Sequence, residues 1–167
     1  MDWHVRRLRP EEAAAFQALR LEGLAHHPCA FAASHDEKAW QTLVEVAARL
    51  ERQPVFGGFE GSALLGIAGF TVPSRAKKRH KGLLWGVYVR EAARGRGLGR
   101  SLVVQVIEHA RAHVVQLHAA VVTTNHAARR LYRSLGFSTY GLEPRGLACE
   151  GRYFDQELMV LTLDRES

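Results

Sequence analysis

Apolar residues recur along the chain with a spacing that switches between two and three-to-four, which predicts a mixed α and β architecture. Residues 3–8 change character from one position to the next around Val5 and Arg6 and predict a short strand. Pro10, Glu11 and Glu12 then open a helix, because proline and acidic side chains suit a first turn. Ala13, Phe16 and Leu19 carry its apolar face toward residue 24. Ser34 followed by Glu37 is a capping-box pattern, so a second helix is expected from there to Arg52, burying Trp40, Leu43, Val44, Ala47 and Leu50. Strands 55–60 and 63–72 flank a Gly61-Ser62 turn, and a third strand covers 83–89. After a glycine-rich turn, helix 99–113 presents Leu102, Val103, Val106, Ile107 and Ala110 on one face. Strand 117–122 follows, then helix 125–135 closed by Gly136. Strands 137–142 and 157–163, joined by a loop rich in glycine and charge, complete the order β-α-α-β-β-β-α-β-α-β-β. A sheet with helices on both faces would bury all of these stripes.

No repeat, low-complexity tract or linker interrupts the pattern, so residues 1–167 read as one domain. An apolar fraction of 47% supports a packed core and excludes a disordered chain. No apolar run approaches the roughly 20 residues of a membrane-spanning helix, and the first residues lack the apolar stretch of a secretion signal. No membrane partner is expected, and a cytoplasmic location is. Cys29 and Cys149, far apart, make neither a disulfide framework nor a zinc pattern, which agrees with a reducing compartment. His26, His27, Cys29 and His35 match no common ligand spacing, and His109 and His113 fall off the apolar face of their helix, so no metal is expected.

The net charge of +6 is local. Residues 75–100 hold nine basic residues and one acidic residue, leaving 14 basic against 16 acidic in the remainder. Such a site suits a polyanionic small molecule or a stretch of nucleic acid better than a generally adhesive surface. The part at 75–81 reads as a solvated loop; a phosphate of a bound ligand and an acidic substrate are the alternatives for it.

Val87, Tyr88 and Val89, followed by Arg94-Gly95-Arg96-Gly97-Leu98-Gly99-Arg100-Ser101, read as strand, loop and helix start. Glycines let a backbone approach a ligand closely, and successive amides at a helix start bind phosphate. A Walker loop is excluded, since three residues separate Gly95 from Gly99 and Arg100 stands where lysine is needed. A dinucleotide fingerprint is excluded by the GxGxG spacing of Gly95, Gly97 and Gly99. The run also fits RxxGxG from Arg94 to Gly99, and in this it resembles the GNAT superfamily of N-acetyltransferases, where such a turn after the fourth strand binds the pyrophosphate of acetyl-coenzyme A (acetyl-CoA). A second segment is similar to that family's NxxAxxLYxxxGF pattern, from Asn125 through Ala128, Leu131 and Tyr132 to Gly136 and Phe137. Asn125 suits an N-cap, and Gly136 a left-handed helix stop with Phe137 packed beyond it.

The resemblance implies a GNAT fold: a mixed central sheet of about six to seven strands with helices on both faces, splayed between the fourth and fifth strands. It implies acetyl-CoA as cosubstrate, held by Val87, Tyr88, Val89, Arg94, Gly95, Arg96, Gly97, Leu98, Gly99, Arg100, Ser101, Asn125 and Tyr132. The amide of Val87 or a neighbour would hold the thioester oxygen, and an amine would attack directly, with Tyr132 as general acid and no covalent role for either cysteine. The family's carboxylate on the fourth strand has no counterpart in Leu84-Trp85-Gly86. The base is therefore open among Glu22, His80, Asp155 and Glu157, with Glu22 favoured by its place on the first helix. Tyr140 and Phe154 are further residues for the acceptor side. A non-catalytic acyl-coenzyme A sensor is the alternative on the same fold. A nucleic-acid partner is not expected, because interleaved exposed aromatics are missing. The acceptor is a small or peptide amine, and homodimerisation, common among relatives, is left open.

Overall fold

Seven strands form one sheet in the order β1-β2-β3-β4-β5-β7-β6. The computed structural model describes residues 2–163. In chain order these are β1 (Trp3–Arg7), α1 (Ala13–His26), α2 (His35–Ala39), α3 (Leu43–Arg52), β2 (Val55–Glu60), β3 (Ala63–Thr71) and β4 (Lys81–Val89). Then come α4 (Leu98–Arg111), β5 (Gln116–Val122), α5 (His126–Ser134), β6 (Ser138–Cys149) and β7 (Arg152–Thr162). All neighbours run antiparallel except β4 and β5, which are parallel. Apart from one additional helix before β2, the α–β order and the helices on both faces agree with the sequence pattern.

Each face has its own core. On one, Phe16 and Leu19 of α1 and Leu50 of α3 pack with Leu8, Ile67 and Tyr88. On the other, Leu102, Val103 and Val106 of α4 pack with Leu117, Tyr132 and Met159. Among the described residues no helix is long and apolar enough to cross a membrane.

Three expectations are corrected. The helix expected from Ser34 to Arg52 is two helices. Ser34 and Glu37 do form a capping box, but Thr42 and Glu45 form a second one, with Thr42 Oγ1 accepting the Glu45 amide at 3.2 Å. That fresh start resets the phase, so Val46 and Leu50 point inward while Trp40 and Val44 are 87% and 81% exposed. Secondly, the loop expected between the last two strands is strand: β6 and β7 pair from Ser138 and Val160 out to Cys149 and Arg152. Their turn at Glu150 and Gly151 takes positive φ at both positions, as tight hairpins require. Thirdly, Cys29 and Cys149 are joined in a disulfide, with Cα atoms 5.5 Å apart. It ties the turn after α1 to the tip of β6, across 120 residues of sequence.

The basic segment is also less unified than its composition suggests. Loop 75–81 leads into the start of β4, whereas Arg90, Arg94, Arg96 and Arg100 follow its end. The nine residues of β4 separate the two groups by roughly 25–30 Å.

Candidate active site

A bulge in β4 creates the site's floor. Ile67 pairs with Tyr88 and Gly69 with Trp85, so Gly86 and Val87 together oppose Ala68. Two residues against one is the count of a β-bulge. Gly86 takes φ +65°, which a side chain would resist. The extra residue also shifts the strand's phase. Trp85 and Tyr88, three apart, both pack toward the α1 face, and Leu84, Val87 and Val89 toward the α4 face.

The sheet opens just ahead of the bulge, after Leu83. β4 and β5 pair only at Lys81–Gln116, Gly82–Leu117 and Leu83–His118. Beyond that point β4 stays bonded to β3 and β5 to β7, but not to each other. The gap holds a cavity of about 340 Å³, lined by Trp85, Gly86, Val87, Ala119, Val121 and Tyr132 among others. A larger one of about 560 Å³ adjoins it and shares Val87, Tyr88, Val89, Arg94 and Asn125. Its outer wall adds His27, Glu150, Arg152, Phe154 and the Cys29–Cys149 bridge, and Phe31 lines both cavities.

At the α4 end, Gly95 and Gly97 take φ of +77° and +84°, turning the chain sharply before the helix. The first α4 bond runs from the Ser101 amide to the Gly97 carbonyl at 3.0 Å. Among the described residues, the amides from Gly95 to Arg100 donate to no backbone carbonyl. They form a row of free donors at the positive end of a 14-residue helix. Arg94, Gly95, Gly97, Leu98 and Gly99 line the cavity. Arg96, Arg100 and Ser101 do not: Arg96 bonds the Ala92 carbonyl, Arg100 the Ser134 hydroxyl, and Ser101 the Gly97 carbonyl.

Helix α5 forms the opposite wall. The Asn125 side chain accepts the Ala128 amide at 3.2 Å, as an N-cap should. At the other end the Phe137 amide bonds the Tyr132 carbonyl at 3.0 Å and the Gly136 amide the Arg133 carbonyl at 3.1 Å. These are the paired bonds of a Schellman stop, with the Phe137 ring 5.6 Å from that of Tyr132. The stop fixes Tyr132 against the cavity. Its hydroxyl has no hydrogen-bond partner among the described residues, and burial holds its pKa well above the ordinary tyrosine value.

The residues considered as bases are scattered. Glu22 accepts from the Tyr88 hydroxyl at 3.0 Å and from Arg90 Nε at 3.2 Å. Burial favours its neutral form, but those two hydrogen bonds win and keep it ionised below the usual glutamate range. Glu157 is buried on β7 between Arg129, Arg133 and Thr139. Asp155 accepts the Arg145 amide at 2.8 Å. His80 precedes β4 and lies at the end away from the gap. Among the residues lining the larger cavity, Glu150 is the carboxylate. Of the two aromatics named for the acceptor side, Phe154 lines that cavity, whereas Tyr140 is 56% exposed beside His118.

Apart from Phe154, sequence reasoning did not assign the outer wall to the site. His27, Phe31, Glu150 and Arg152 come from two loops brought together by the disulfide. Arg94 bridges both walls, donating to the Val89 carbonyl at 2.9 Å and to His27 Nε2 at 3.0 Å. Burial, then Arg94, then His26 lower the His27 pKa, leaving a neutral ring whose Nε2 lone pair is taken.

Comparison with known proteins agrees with this geometry. The model of the acetyltransferase (GNAT) family matches residues 9–137. The L-methionine sulfoximine/L-methionine sulfone acetyltransferase of Pseudomonas aeruginosa is 40% identical over 79 residues, 47% of this chain and 46% of that protein. The N-alpha-acetyltransferase RimI of Mycobacterium tuberculosis is 38% identical over 93 residues, 53% of this chain and 54% of that one. The alignments thus span about half the length of these curated relatives. The structure of yncA from Salmonella typhimurium, described as an acetyltransferase with its cofactor acetyl-CoA, superposes with a TM-score of 0.84. It is 28% identical, and the match covers 100% of this chain and 97% of that one. Sequence match, sheet order and the gap between β4 and β5 lead to one conclusion: this chain belongs to the acetyltransferase (GNAT) family.

Proposed function

We propose that this chain transfers the acetyl group of acetyl-CoA directly to the amine of a small acceptor, in a ternary complex. The observation that carries this reading is the gap between β4 and β5, with a row of unpartnered amides at one end and a buried phenol on its wall. The residues present fit acetyl-CoA. A diphosphate needs several converging donors without a bulky side chain between them, and the amides from Gly95 to Arg100 meet that need. A pantetheine arm carries amides of its own, and the unpaired edges of β4 and β5 offer groups for it.

Acetyl-CoA supplies an activated thioester, and the rest is done by the chain. The bulge turns the backbone at Gly86 and Val87 away from regular pairing, so the Val87 amide can donate to the thioester oxygen as negative charge develops there. The neutral amine nitrogen bonds to the carbonyl carbon, the carbon–sulfur bond breaks with its electron pair leaving on sulfur, and the surplus proton on nitrogen passes to solvent water, leaving the amide and the coenzyme A thiolate. Tyr132 stays protonated throughout the physiological range and gives its hydrogen bond to that sulfur. Its raised pKa makes it a better hydrogen-bond donor to a forming thiolate than a full proton source. Glu22 would orient Tyr88 at the edge of the site, its carboxylate being engaged by Arg90.

The test is thiol release from acetyl-CoA with a panel of amines: methionine sulfoximine, methionine sulfone, a peptide with a free N-terminus, and a polyamine. Acceptor-dependent release with at least one amine is the expected result. Saturable acetyl-CoA binding with no release from any amine would instead favour a non-catalytic acyl-coenzyme A sensor.

A further inference from the structure

Arg20 lies in the buried stripe of α1 and is only 9% exposed, yet among the described residues no acceptor pairs with it. Its Nε is a buried donor without a partner, and so is Nε1 of Trp85 beside it. Arg49 of α3 adds a second guanidinium: its carbon lies 4.2 Å from the Trp85 ring centre, and that of Arg20 4.8 Å. Burial, and next the repulsion of Arg49, bring the Arg20 pKa down to about 10. Lys38 of α2 feels the same field; burial, then Arg49, then Arg20 lower its pKa.

Unneutralised charge at this depth is unfavourable for folding, and an apolar side chain of similar volume would fill the position more cheaply. The cluster also touches the site. Gly86 lines the inner cavity, and Nη1 of Arg20 lies 2.6 Å from the point where a Gly86 Cβ would stand. The bulge thus leaves a guanidinium, rather than a side chain of β4, next to the backbone that precedes Val87.

We infer that Arg20, supported by Arg49, receives the carboxylate of the acceptor and thereby selects small amino acids over simple amines. This rests on the acetyl-transfer reading above. A guanidinium matches a carboxylate through two parallel N–H bonds, and that match fixes where the acceptor's amine points. Methionine sulfoximine and methionine sulfone, named for the Pseudomonas relative, both carry such a carboxylate.

The experiment compares the wild-type protein with Arg20→Met and Arg20→Lys, using methionine sulfone and its carboxyl-free analogue, 3-(methylsulfonyl)propylamine. Arg20→Met should raise KM for methionine sulfone about ten- to hundredfold, the range of a lost charge-assisted hydrogen bond. KM for the carboxyl-free amine and the Kd for acetyl-CoA should not change. Arg20→Lys should recover part of the loss. The Tm of Arg20→Met without ligands should equal or exceed that of the wild type, because a buried unpaired charge is removed. A merely structural arginine would give the opposite: a lower Tm, weaker acetyl-CoA binding, or the same KM increase for both amines, each of which overturns the inference. A wild-type preference for the carboxyl-free amine or for peptide N-termini overturns it too, while leaving acetyl transfer intact. Calorimetry with methionine sulfone alone separates the two levels. Binding lost in Arg20→Met without any turnover keeps this site and removes the acetyl-transfer reading; no binding to the wild type removes this site.

Discussion

Replacing Gly86 by alanine isolates what the β4 bulge contributes. At φ +65° an alanine pays a left-handed backbone penalty of roughly 1–2 kcal/mol. Its Cβ also meets Arg20 Nη1 at 2.6 Å, so the flexible end of the arginine must move aside. Because Arg20 has no hydrogen-bond acceptor to lose among the described residues, only its contact with the Trp85 ring, that displacement adds little to the unfolding free energy. The net cost should therefore stay near 1–2 kcal/mol, a fall in Tm of about 2–8 °C for a chain of this size. Gly61→Ala provides the control: φ is +60° at the β2–β3 turn, and nothing lies within 4 Å of the added carbon. Thermal melts should show similar losses for both variants. Thiol-release kinetics should separate them, with Gly61→Ala unchanged and Gly86→Ala slowed at least tenfold. Equal kinetics for the two variants would refute the idea that the bulge and the guanidinium behind it shape the reaction site.

Other perturbations probe different parts of the account. Tyr132→Phe removes only the hydroxyl donor, so kcat should fall roughly ten- to a thousand-fold with acetyl-CoA affinity intact; a change under about twofold would exclude the role. Cleaving the Cys29–Cys149 bridge, by reductant or as Cys29→Ser, frees a loop of 120 residues, worth at most roughly 5 kcal/mol on chain-entropy grounds. Tm should fall by up to about 10–20 °C, whereas superimposable melts with and without reductant would mean that the bond contributes nothing. Arg6 hydrogen-bonds Glu12 and holds its carboxyl at about 2, below the ordinary 4.5. A depressed pKa stabilises the fold above the ordinary value, and that stability is lost as pH falls toward 2. Glu12→Gln should thus cost about 1–3 kcal/mol at neutral pH, with the deficit shrinking between pH 4.5 and 2; a pH-independent deficit in denaturant melts would contradict the linkage.

How much of this was readable in advance depended on how local the signal was. The glycine turn from Gly95 to Gly99 and the capped helix from Asn125 to Gly136 each carry their geometry within a dozen residues, and both appear as expected. Thr42 was legible too, since Thr42 and Glu45 repeat the pattern of Ser34 and Glu37, but the longer apolar periodicity hid the break. The long β6–β7 hairpin was obscured by Pro144, Gly146 and its charged residues, which resemble loop composition although the ladder accommodates them with register shifts. The bulge at Gly86 and Val87 could not be seen, because Leu84 to Val89 reads equally well as an unbroken strand. The meeting of Cys29 with Cys149, and of Arg20 with Trp85, depends on the packing of distant elements, and no spacing rule encodes it. Net charge misled for the same reason: β4 carries its two basic flanks to opposite ends.

The central claim is that the free amides from Gly95 to Arg100 hold the diphosphate of coenzyme A. Titration calorimetry at near-physiological salt, run in parallel with acetyl-CoA and with S-acetylpantetheine, tests it most directly. The account predicts saturable one-to-one binding of acetyl-CoA and binding at least a hundredfold weaker for the analogue without the diphosphate. No heat with acetyl-CoA, or equal affinity for the two compounds, would contradict it.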